Sequence, residues 1–268
     1  MVALYITVFV LVSVAVTYVF LIMPRVTDAA DMELQSTDYA LNGIYKCRTC
    51  EGSLSAISAA RSQGYGVAIT VRMTADGRLV VFHERDLKQR YGISSRIRDI
   101  SYKRLCEVCT SLSKECVPTL SDVLSAIDGH VPLLIEIVSA PNLHKLCARL
   151  AESMDRYGGA FSVVSADPRV LAFFKKYRPR FARGQIIYKR YPKGFPRIKA
   201  FIIKGMLCNA STRPDFFIVD KAIIKTPAFI LATGLFRAQG FMQGVTTLER
   251  YNECKRHGMY AVFKNIRP

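Results

Sequence analysis

The feature that most constrains the fold is an alternation that runs from residue 43 to the end of the chain. Short runs rich in β-branched and aromatic residues alternate with longer runs of helical periodicity, which is typical of a parallel sheet covered by helices. The predicted strands are 43–46, 66–72, 79–82, 132–138, 161–164, 183–187, 216–219, 235–239 and 260–263. The predicted helices are 53–62, 101–109, 120–127, 143–157, 168–177, 221–233 and 246–257. So many units in about 230 residues favour a closed (β/α)8 TIM-type barrel of the α/β class, with functional residues at the C-terminal strand ends.

A second feature is the uncharged run 2–23, which is long enough to cross ~30 Å of hydrocarbon. No basic residue precedes it and no convincing small-residue cleavage site follows it, so a retained anchor is favoured over a signal peptide. The run is apolar on every face, which disfavours a buried core helix. The predicted organisation is a transmembrane anchor over 1–24, a juxtamembrane linker over 25–40 and a barrel domain over 41–268. The predicted location is the membrane, by a single pass, with the side of the barrel left open.

Positive charge is concentrated in the globular part of the chain. All but one of the 38 Lys and Arg residues lie beyond residue 40, together with 17 of the 21 acidic residues. Such a field favours anionic partners, and for an anchored protein the nearest anion is the lipid headgroup surface. No nucleic-acid partner is expected, since the chain has no helix-turn-helix, finger or aromatic RNA-binding signature. A solvated basic surface without a specific partner is the alternative.

The cysteines give a weak signal. Cys47 and Cys50 form one C-x-x-C pair, Cys106 and Cys109 form another, and Cys116 lies close by. A zinc site would normally pair such motifs about 15–20 residues apart, and here the spacing is far wider. Free thiols are therefore favoured over a disulfide, and a disulfide over a metal site.

The run 64–84 is the most informative in the chain. It contains a strand, an Asp-Gly turn and a second strand that ends on His83 beside a carboxylate. It resembles the glycerophosphodiester phosphodiesterase signature, in which GYG-x-E-x-D-V is followed by T-x-DG-x-LVV-x-HD. The flanks agree, since IYKC at 44–47 stands where that family has A-H-R-G, and CEGS at 50–53 stands where it has P-E-N-S/T.

Shorter motifs extend the resemblance over almost everything after residue 40. They are VPTL at 117–120, PLLIEI at 132–137, SADP at 165–168, RGQ at 183–185 and RPDF at 213–216. LIMPR at 21–25, after the hydrophobic run, also resembles membrane-anchored bacterial members of the family. Because the motifs occur in the right order, the chain is identified as a member of this family, which implies a barrel fold and phosphodiester chemistry.

The resemblance also implies a metal site, and this sequence departs from it. In the family one Ca²⁺ or Mg²⁺ ion is held by a Glu and an Asp on the second strand and by a Glu on the third. The two second-strand positions fall on Ala68 and Thr70, so two carboxylates are replaced. Glu136 and Glu51 remain as residual ligands, although Glu51 could instead complement a helix dipole.

The implied acid–base pair is also incomplete. The first-strand His falls on Tyr45, and tyrosine, with a pKa of about 10, is a poor base at neutral pH. Its neighbouring Arg falls on Lys46, which keeps a positive charge for phosphate. The second family His is His83, which could also be an ordinary hydrogen-bonded strand-end histidine. Arg72 shares a strand face with the replaced ligands and could bind phosphate in the emptied metal site, or lie at the rim.

The predicted function follows from these departures. We expect a glycerophosphodiester phosphodiesterase-like membrane protein that is catalytically impaired and binds an anionic phospholipid or a glycerophosphodiester. No cofactor is expected for that function, and Ca²⁺ or Mg²⁺ only if the protein is active. The alternatives are an active phosphoric diester hydrolase with a rebuilt metal site, and a non-catalytic interaction scaffold. Only four His residues occur in the chain, which makes a two-His mechanism hard to rebuild.

Overall fold

The structure, a computed structural model, describes residues 1–25, 36–45, 51–84, 86–113, 116–192 and 194–268. Its strands are β1 Tyr39–Leu41, β2 Gly66–Met73, β3 Leu79–Val81, β4 Leu133–Ile137, β5 Phe161–Ser165, β6 Ala182–Ile187, β7 Phe216–Val219, β8 Gln239–Val245 and β9 Tyr260–Phe263. β1 pairs in parallel with both β2 and β9, so the sheet closes on itself. The closed barrel has eight parallel strands, which confirms the predicted fold class, while β3 forms an antiparallel hairpin on the end of β2.

Large rings fill the barrel interior. Phe241 packs edge-on against Tyr39 and Phe216, with ring centroids 5.9 and 5.2 Å away. Gly184 on β6 makes room for Phe216, because a β-carbon at this position would lie 2.3 Å from the Phe216 ring. The interior of the barrel is therefore packed with side chains.

Most of the helices cover the outside of the barrel and enclose the main hydrophobic core, whereas the first extends away from it. The helices are α1 Val2–Ile22, α2 Leu54–Ser62, α3 Lys88–Tyr91, α4 Tyr102–Ser113, α5 Leu120–Ile127, α6 Leu143–Met154, α7 Pro168–Tyr177, α8 Arg197–Lys204, α9 Asn209–Thr212, α10 Pro227–Gly234 and α11 Leu248–Arg256. The sequence-predicted start of α5 is confirmed by a capping box between Thr119 and Asp122.

Two strand predictions are wrong in position. β1 lies at Tyr39–Leu41 rather than 43–46, since Asn42 and Gly43 turn the chain away from the sheet with φ of 58° and 84°. β8 lies at Gln239–Val245 rather than 235–239, because Leu235 still caps α10. The predicted helix over 221–233 is two pieces, a 3-10 turn over Lys221–Ile223 and α10, which begins at Pro227. Helix α8, at Arg197–Lys204, was not predicted from the sequence.

α1 is long and apolar enough to cross a membrane, and most of its side chains are exposed. Its end is attached to the barrel. Asn209 donates a hydrogen bond from Nδ2 to the carbonyl of Ile22 at 2.7 Å, and Arg213 donates from Nη1 to the carbonyl of Met23 at 2.8 Å. Arg25 then forms an ion pair with Asp215, which directly precedes β7. These contacts attach the helix to the N-terminal end of the barrel, opposite the strand ends that would carry chemistry.

The cysteine prediction needs correction. Cys106 and Cys116 form a disulfide, where free thiols were favoured. The α-carbons of Cys106 and Cys116 lie 4.8 Å apart, a proximity that the spacing of the C-x-x-C motif did not indicate. Cys109 is buried and lies outside this disulfide. Cys47 and Cys50 lie outside the described residues.

Candidate active site

The C-terminal mouth of the barrel is organised around Thr70. Its side chain is fully buried, and its hydroxyl donates to Glu136 Oε2 at 2.9 Å and lies 3.0 Å from His83 Nδ1. Thr70 and Glu136 are neighbours in the ladder between β2 and β4. The β3 hairpin returns His83 to the same place, since the amide of Phe82 donates to the carbonyl of Thr70 at 2.9 Å. Three sequence-predicted site residues therefore meet in one hydrogen-bonded cluster.

The proton count of this cluster determines the tautomer of His83. A threonine hydroxyl has one proton, and an ionised carboxylate can only accept, so that proton points to Glu136. Nδ1 of His83 must then be the donor to the Thr70 oxygen. The proton therefore sits on Nδ1, and Nε2 is the ring nitrogen left for a ligand.

Glu136 is held by hydroxyl groups. Besides Thr70, the hydroxyl of Tyr188 donates to Glu136 Oε1 at 3.4 Å. Burial, and then the nearby carboxylate of Glu136, raises the pKa of Tyr188 far above its usual value, so this phenol stays protonated and remains a donor. Within the described part of the chain, no lysine or arginine lies at ion-pair distance from Glu136.

The donor set does not fit the metal that the family resemblance implies. Ala68 lies two positions deeper than Thr70, where its methyl group packs in the barrel interior with Leu134 and Val164. Among the residues that the structure describes, no three His, Cys, Asp or Glu side chains are grouped so that they could hold a metal ion. Ca²⁺ and Mg²⁺ need several oxygen ligands, preferably carboxylates, and here one carboxylate and one hydroxyl occupy the place.

Glu51, the other residual carboxylate, is buried and paired. It accepts hydrogen bonds from Asn42 Nδ2 at 2.8 Å and from Lys264 Nζ at 2.7 Å, both to Oε1. Burial acts to raise the pKa of Glu51, but the hydrogen bonds from Lys264 and Asn42 outweigh it and hold the pKa below its usual value. Glu51 is therefore an ionised partner of Lys264 rather than a free metal ligand.

Tyr45, which replaces the first family His, lies beyond the end of β1. Burial, followed by the carboxylate of Glu51, raises the pKa of Tyr45 well above its usual value. Its phenol therefore stays protonated at neutral pH and cannot serve as a base. Lys46, the predicted phosphate ligand beside it, lies outside the described residues.

Arg72 supports the backbone that carries His83. Its Nε donates to the carbonyl of Phe82 at 3.1 Å and its Nη2 donates to the carbonyl of His83 at 2.9 Å. The guanidinium therefore lies along the returning hairpin strand. Its predicted role in phosphate binding stays a prediction.

Four mouth residues were not found by sequence reasoning. Tyr188, Asp220 and Lys264 each directly follow a strand, β6, β7 and β9, and that position was the available signal. Asp220 joins two neighbouring strand ends, since it accepts from the Lys189 amide at 2.6 Å and from Gln243 Nε2 at 3.0 Å.

Arg90, the fourth, sits on the short helix α3. It pairs with Glu84 at 3.2 Å, donates to the carbonyl of Glu51 at 2.7 Å and lies over the ring of Phe82. No spacing rule would have indicated that side chain.

Comparison with known proteins identifies the family of this chain. The model of the glycerophosphoryl diester phosphodiesterase family matches residues 36–197, more than half of the chain. The chain belongs to the glycerophosphoryl diester phosphodiesterase family. No curated protein sequence matches it significantly.

Solved structures of the family share the barrel at low identity. A phosphodiesterase of Oleispira antarctica, solved with the product sn-glycerol-3-phosphate, has a TM-score of 0.68 at 16% identity and covers 87% of this chain and 94% of its own. A glycerophosphodiester phosphodiesterase of Thermotoga maritima has a TM-score of 0.65 at 20% identity, covering 85% and 94%. A related protein of Galdieria sulphuraria has a TM-score of 0.69 at 15% identity, covering 85% and 92%. At these identities the likeness shows the fold alone.

Proposed function

We propose that this glycerophosphoryl diester phosphodiesterase family member is a membrane-anchored protein that binds the phosphate of glycerophosphodiesters or phospholipid headgroups and hydrolyses them poorly. One observation supports it above the others. The Thr70 hydroxyl bridges Glu136 and His83, at the position where the family resemblance implies a metal-binding carboxylate.

The loss of charge explains the poor turnover. A methyl group at Ala68 and a hydroxyl at Thr70 bring no negative charge, so Glu136 alone would hold a divalent cation weakly. A bound metal would neutralise the phosphate oxygens as the leaving group departs, and without that stabilisation the barrier stays high. Tyr45, held protonated, cannot replace the missing basic His as a proton acceptor.

Phosphate binding needs cations and donors at the mouth, and the chain keeps them. Because Nδ1 of His83 faces the Thr70 hydroxyl, Nε2 on the other side of the ring is the nitrogen left for a ligand. Lys264 reaches the mouth from the end of β9, and its side chain stays one-third exposed while it pairs with Glu51. A phosphate anion entering the mouth can therefore pair with the Lys264 ammonium, and a ligand hydroxyl can donate to Nε2 of His83.

The attachment of α1 supports a retained anchor. If the helix were removed as a signal sequence, Asn209 and Arg213 would lose the carbonyls that they bind at the end of the helix. Cleavage close to Arg25 would also disturb the partner of Asp215, whose side chain is fully buried. Such buried groups are costly to leave unpaired, so the barrel is built to keep the helix end in place.

The test measures binding and turnover separately, with full-length protein in detergent. Calorimetry should detect glycerophosphodiester binding to the wild type, while release of sn-glycerol-3-phosphate stays at background with Ca²⁺ or Mg²⁺. Ala68→Glu combined with Thr70→Asp should restore Ca²⁺ binding, whereas each single variant should not, since a hard cation needs about three anionic ligands here. Adding Tyr45→His should then raise hydrolysis, because it restores the second acid–base group.

An active enzyme is the second candidate, and the free Nε2 of His83 favours it. Robust wild-type hydrolysis that disappears in His83→Ala would establish this candidate and refute the impaired one. Hydrolysis that persists in His83→Ala would indicate a contaminating enzyme. Absence of any ligand binding would instead favour an interaction scaffold.

A further inference from the structure

Helix α8 carries an unpartnered apolar face. Ile198 and Phe201 lie three residues apart, on one side of the helix, and are 75% and 68% exposed. Ile203, on the opposite side, is buried and attaches the helix to the barrel core. Two large apolar side chains so exposed on one helix face indicate a contact surface.

The surroundings of this face are basic. The segment 189–204 contains no acidic residue. Its described basic residues are Lys189, Arg190, Arg197, Lys199 and Lys204. An amphipathic helix with an apolar face and a flanking cationic rim is the pattern of helices that lie in the headgroup region of a bilayer.

The position of α8 agrees with a membrane surface. A short turn joins α8 to α9, and Asn209 at the start of α9 binds the last carbonyl of α1. The apolar face of α8 and the attachment point of the anchor therefore belong to one crossover, between β6 and β7. The next crossover adds Ile230 on α10 and Leu235 after it, both more than half exposed.

From these observations we infer that α8 is an interfacial helix whose Ile198 and Phe201 insert into an anionic lipid surface. The inference rests on the proposed membrane anchorage by α1. The anchor holds the chain at the bilayer, and α8 sets which side of the barrel faces it. The basic rim supplies electrostatic attraction to anionic headgroups.

Aromatic side chains connect α8 with the mouth. Tyr188, which binds Glu136 in the mouth, packs edge-on against Tyr191, and Tyr191 stacks on Phe195 with centroids 4.6 Å apart. Lys204 of α8 lies over the ring of Tyr191. A row of aromatic side chains thus leads from the lipid-facing helix to the site.

The chain contains no tryptophan, which allows a direct test. Phe201→Trp places a single indole fluorophore on the α8 face, and the wide exposure of this position leaves room for the larger ring. Leu54→Trp, at a 40% exposed position on α2, is the matched control. Both full-length variants are reconstituted into nanodiscs of phosphatidylcholine, with or without phosphatidylserine, and with or without brominated acyl chains.

The expected result for Phe201→Trp is a blue-shifted indole emission that brominated chains quench roughly two-fold in discs with anionic lipid, while the emission of Leu54→Trp is unaffected. Lys199→Glu in the Phe201→Trp background should reduce the quenching, as should high salt, because both weaken the electrostatic attraction.

An unquenched Phe201→Trp emission in protein-loaded discs overturns the inference and leaves the anchor proposal intact. A blue shift without quenching also overturns it, and indicates a protein partner or a second copy. Protein that fails to associate with discs at all refutes the anchor proposal itself.

Discussion

Glu51 at the mouth and Asp215 at the anchor end are both buried carboxylates that form an ion pair, yet their pKa values are shifted in opposite directions. Hydrogen bonds from Lys264 and Asn42 outweigh burial and keep the pKa of Glu51 below its usual value. Burial dominates at Asp215 and raises its pKa, in spite of the amide of Arg183 and the charge of Arg25. The mouth therefore stabilises charge that is already present, whereas the anchor end depends on Arg25 remaining beside a costly buried charge.

The largest expected effect is at the anchor end. Asp215→Ala should lower the free energy of unfolding by about 3 kcal/mol, because it removes the acceptor of the Arg183 amide and the carboxylate that pairs with Arg25. Thermal unfolding of the full-length protein in detergent measures it. Asp155→Ala is the control, since it breaks an exposed pair with Arg178 and should cost less than ~1 kcal/mol. Equal losses in the two variants would mean that the attachment of α1 is no stronger than a surface contact.

The second prediction concerns the pH dependence that separates the two carboxylates. The folded pKa of Glu51 is lowered, so its contribution to stability is present above the unfolded pKa and is lost as pH falls through the folded pKa. For Asp215 the folded pKa is raised, so protonation of Asp215 favours the folded state. This protonation-linked part of its contribution is present below the unfolded pKa and is lost as pH rises through the folded pKa, whereas the contacts with Arg183 and Arg25 remain.

Unfolding measured across the acid range therefore separates them. Glu51→Gln should be less stable than the wild type by about 1–2 kcal/mol at neutral pH, with the difference shrinking as pH falls through the lowered pKa of Glu51. Asp215→Asn keeps the size of the side chain but does not titrate. The stability of the wild type relative to this variant should therefore fall as pH rises. Parallel curves for the two variants would show that the carboxylates are in equivalent environments after all.

How far the sequence predicted this molecule depended on how local each signal was. The barrel and the start of α5 were predictable, because the alternation of strands and helices and the Thr119 capping box are local patterns. The position of β1 was not, since the strand ends at a positive-φ Asn42 that no alternation rule indicates. Site residues aligned by strand ends, such as Glu136, met as expected.

The partners of those site residues were harder to predict. Lys264 reaches Glu51 across 213 positions of the chain, and Arg25 reaches Asp215 across 190. Such pairs depend on how the barrel closes and where α1 docks, and both are decided by packing of the whole chain. The disulfide between Cys106 and Cys116 was missed for a related reason, because no local pattern indicates that two cysteines ten residues apart come together.

The smallest expected effect in stability concerns Thr70, and it tests the chemistry of the mouth most directly. Thr70→Val keeps the shape of the side chain and removes the hydroxyl that accepts from His83 Nδ1 and donates to Glu136. Stability should fall by only about 1 kcal/mol. The imidazole of His83 loses the acceptor that selects its tautomer, so nitrogen shifts from ¹⁵N-histidine labelling should change from protonated Nδ1 toward a mixture of tautomers.

Thr70→Ser retains the hydroxyl and should keep the wild-type shifts. With four His in the chain, the His83 signals can be assigned by comparison with His83→Ala. Unchanged shifts in Thr70→Val would show that Thr70 does not select the tautomer of His83. The hydrogen bond to Thr70 would then no longer explain why Nε2 is the nitrogen left for a ligand.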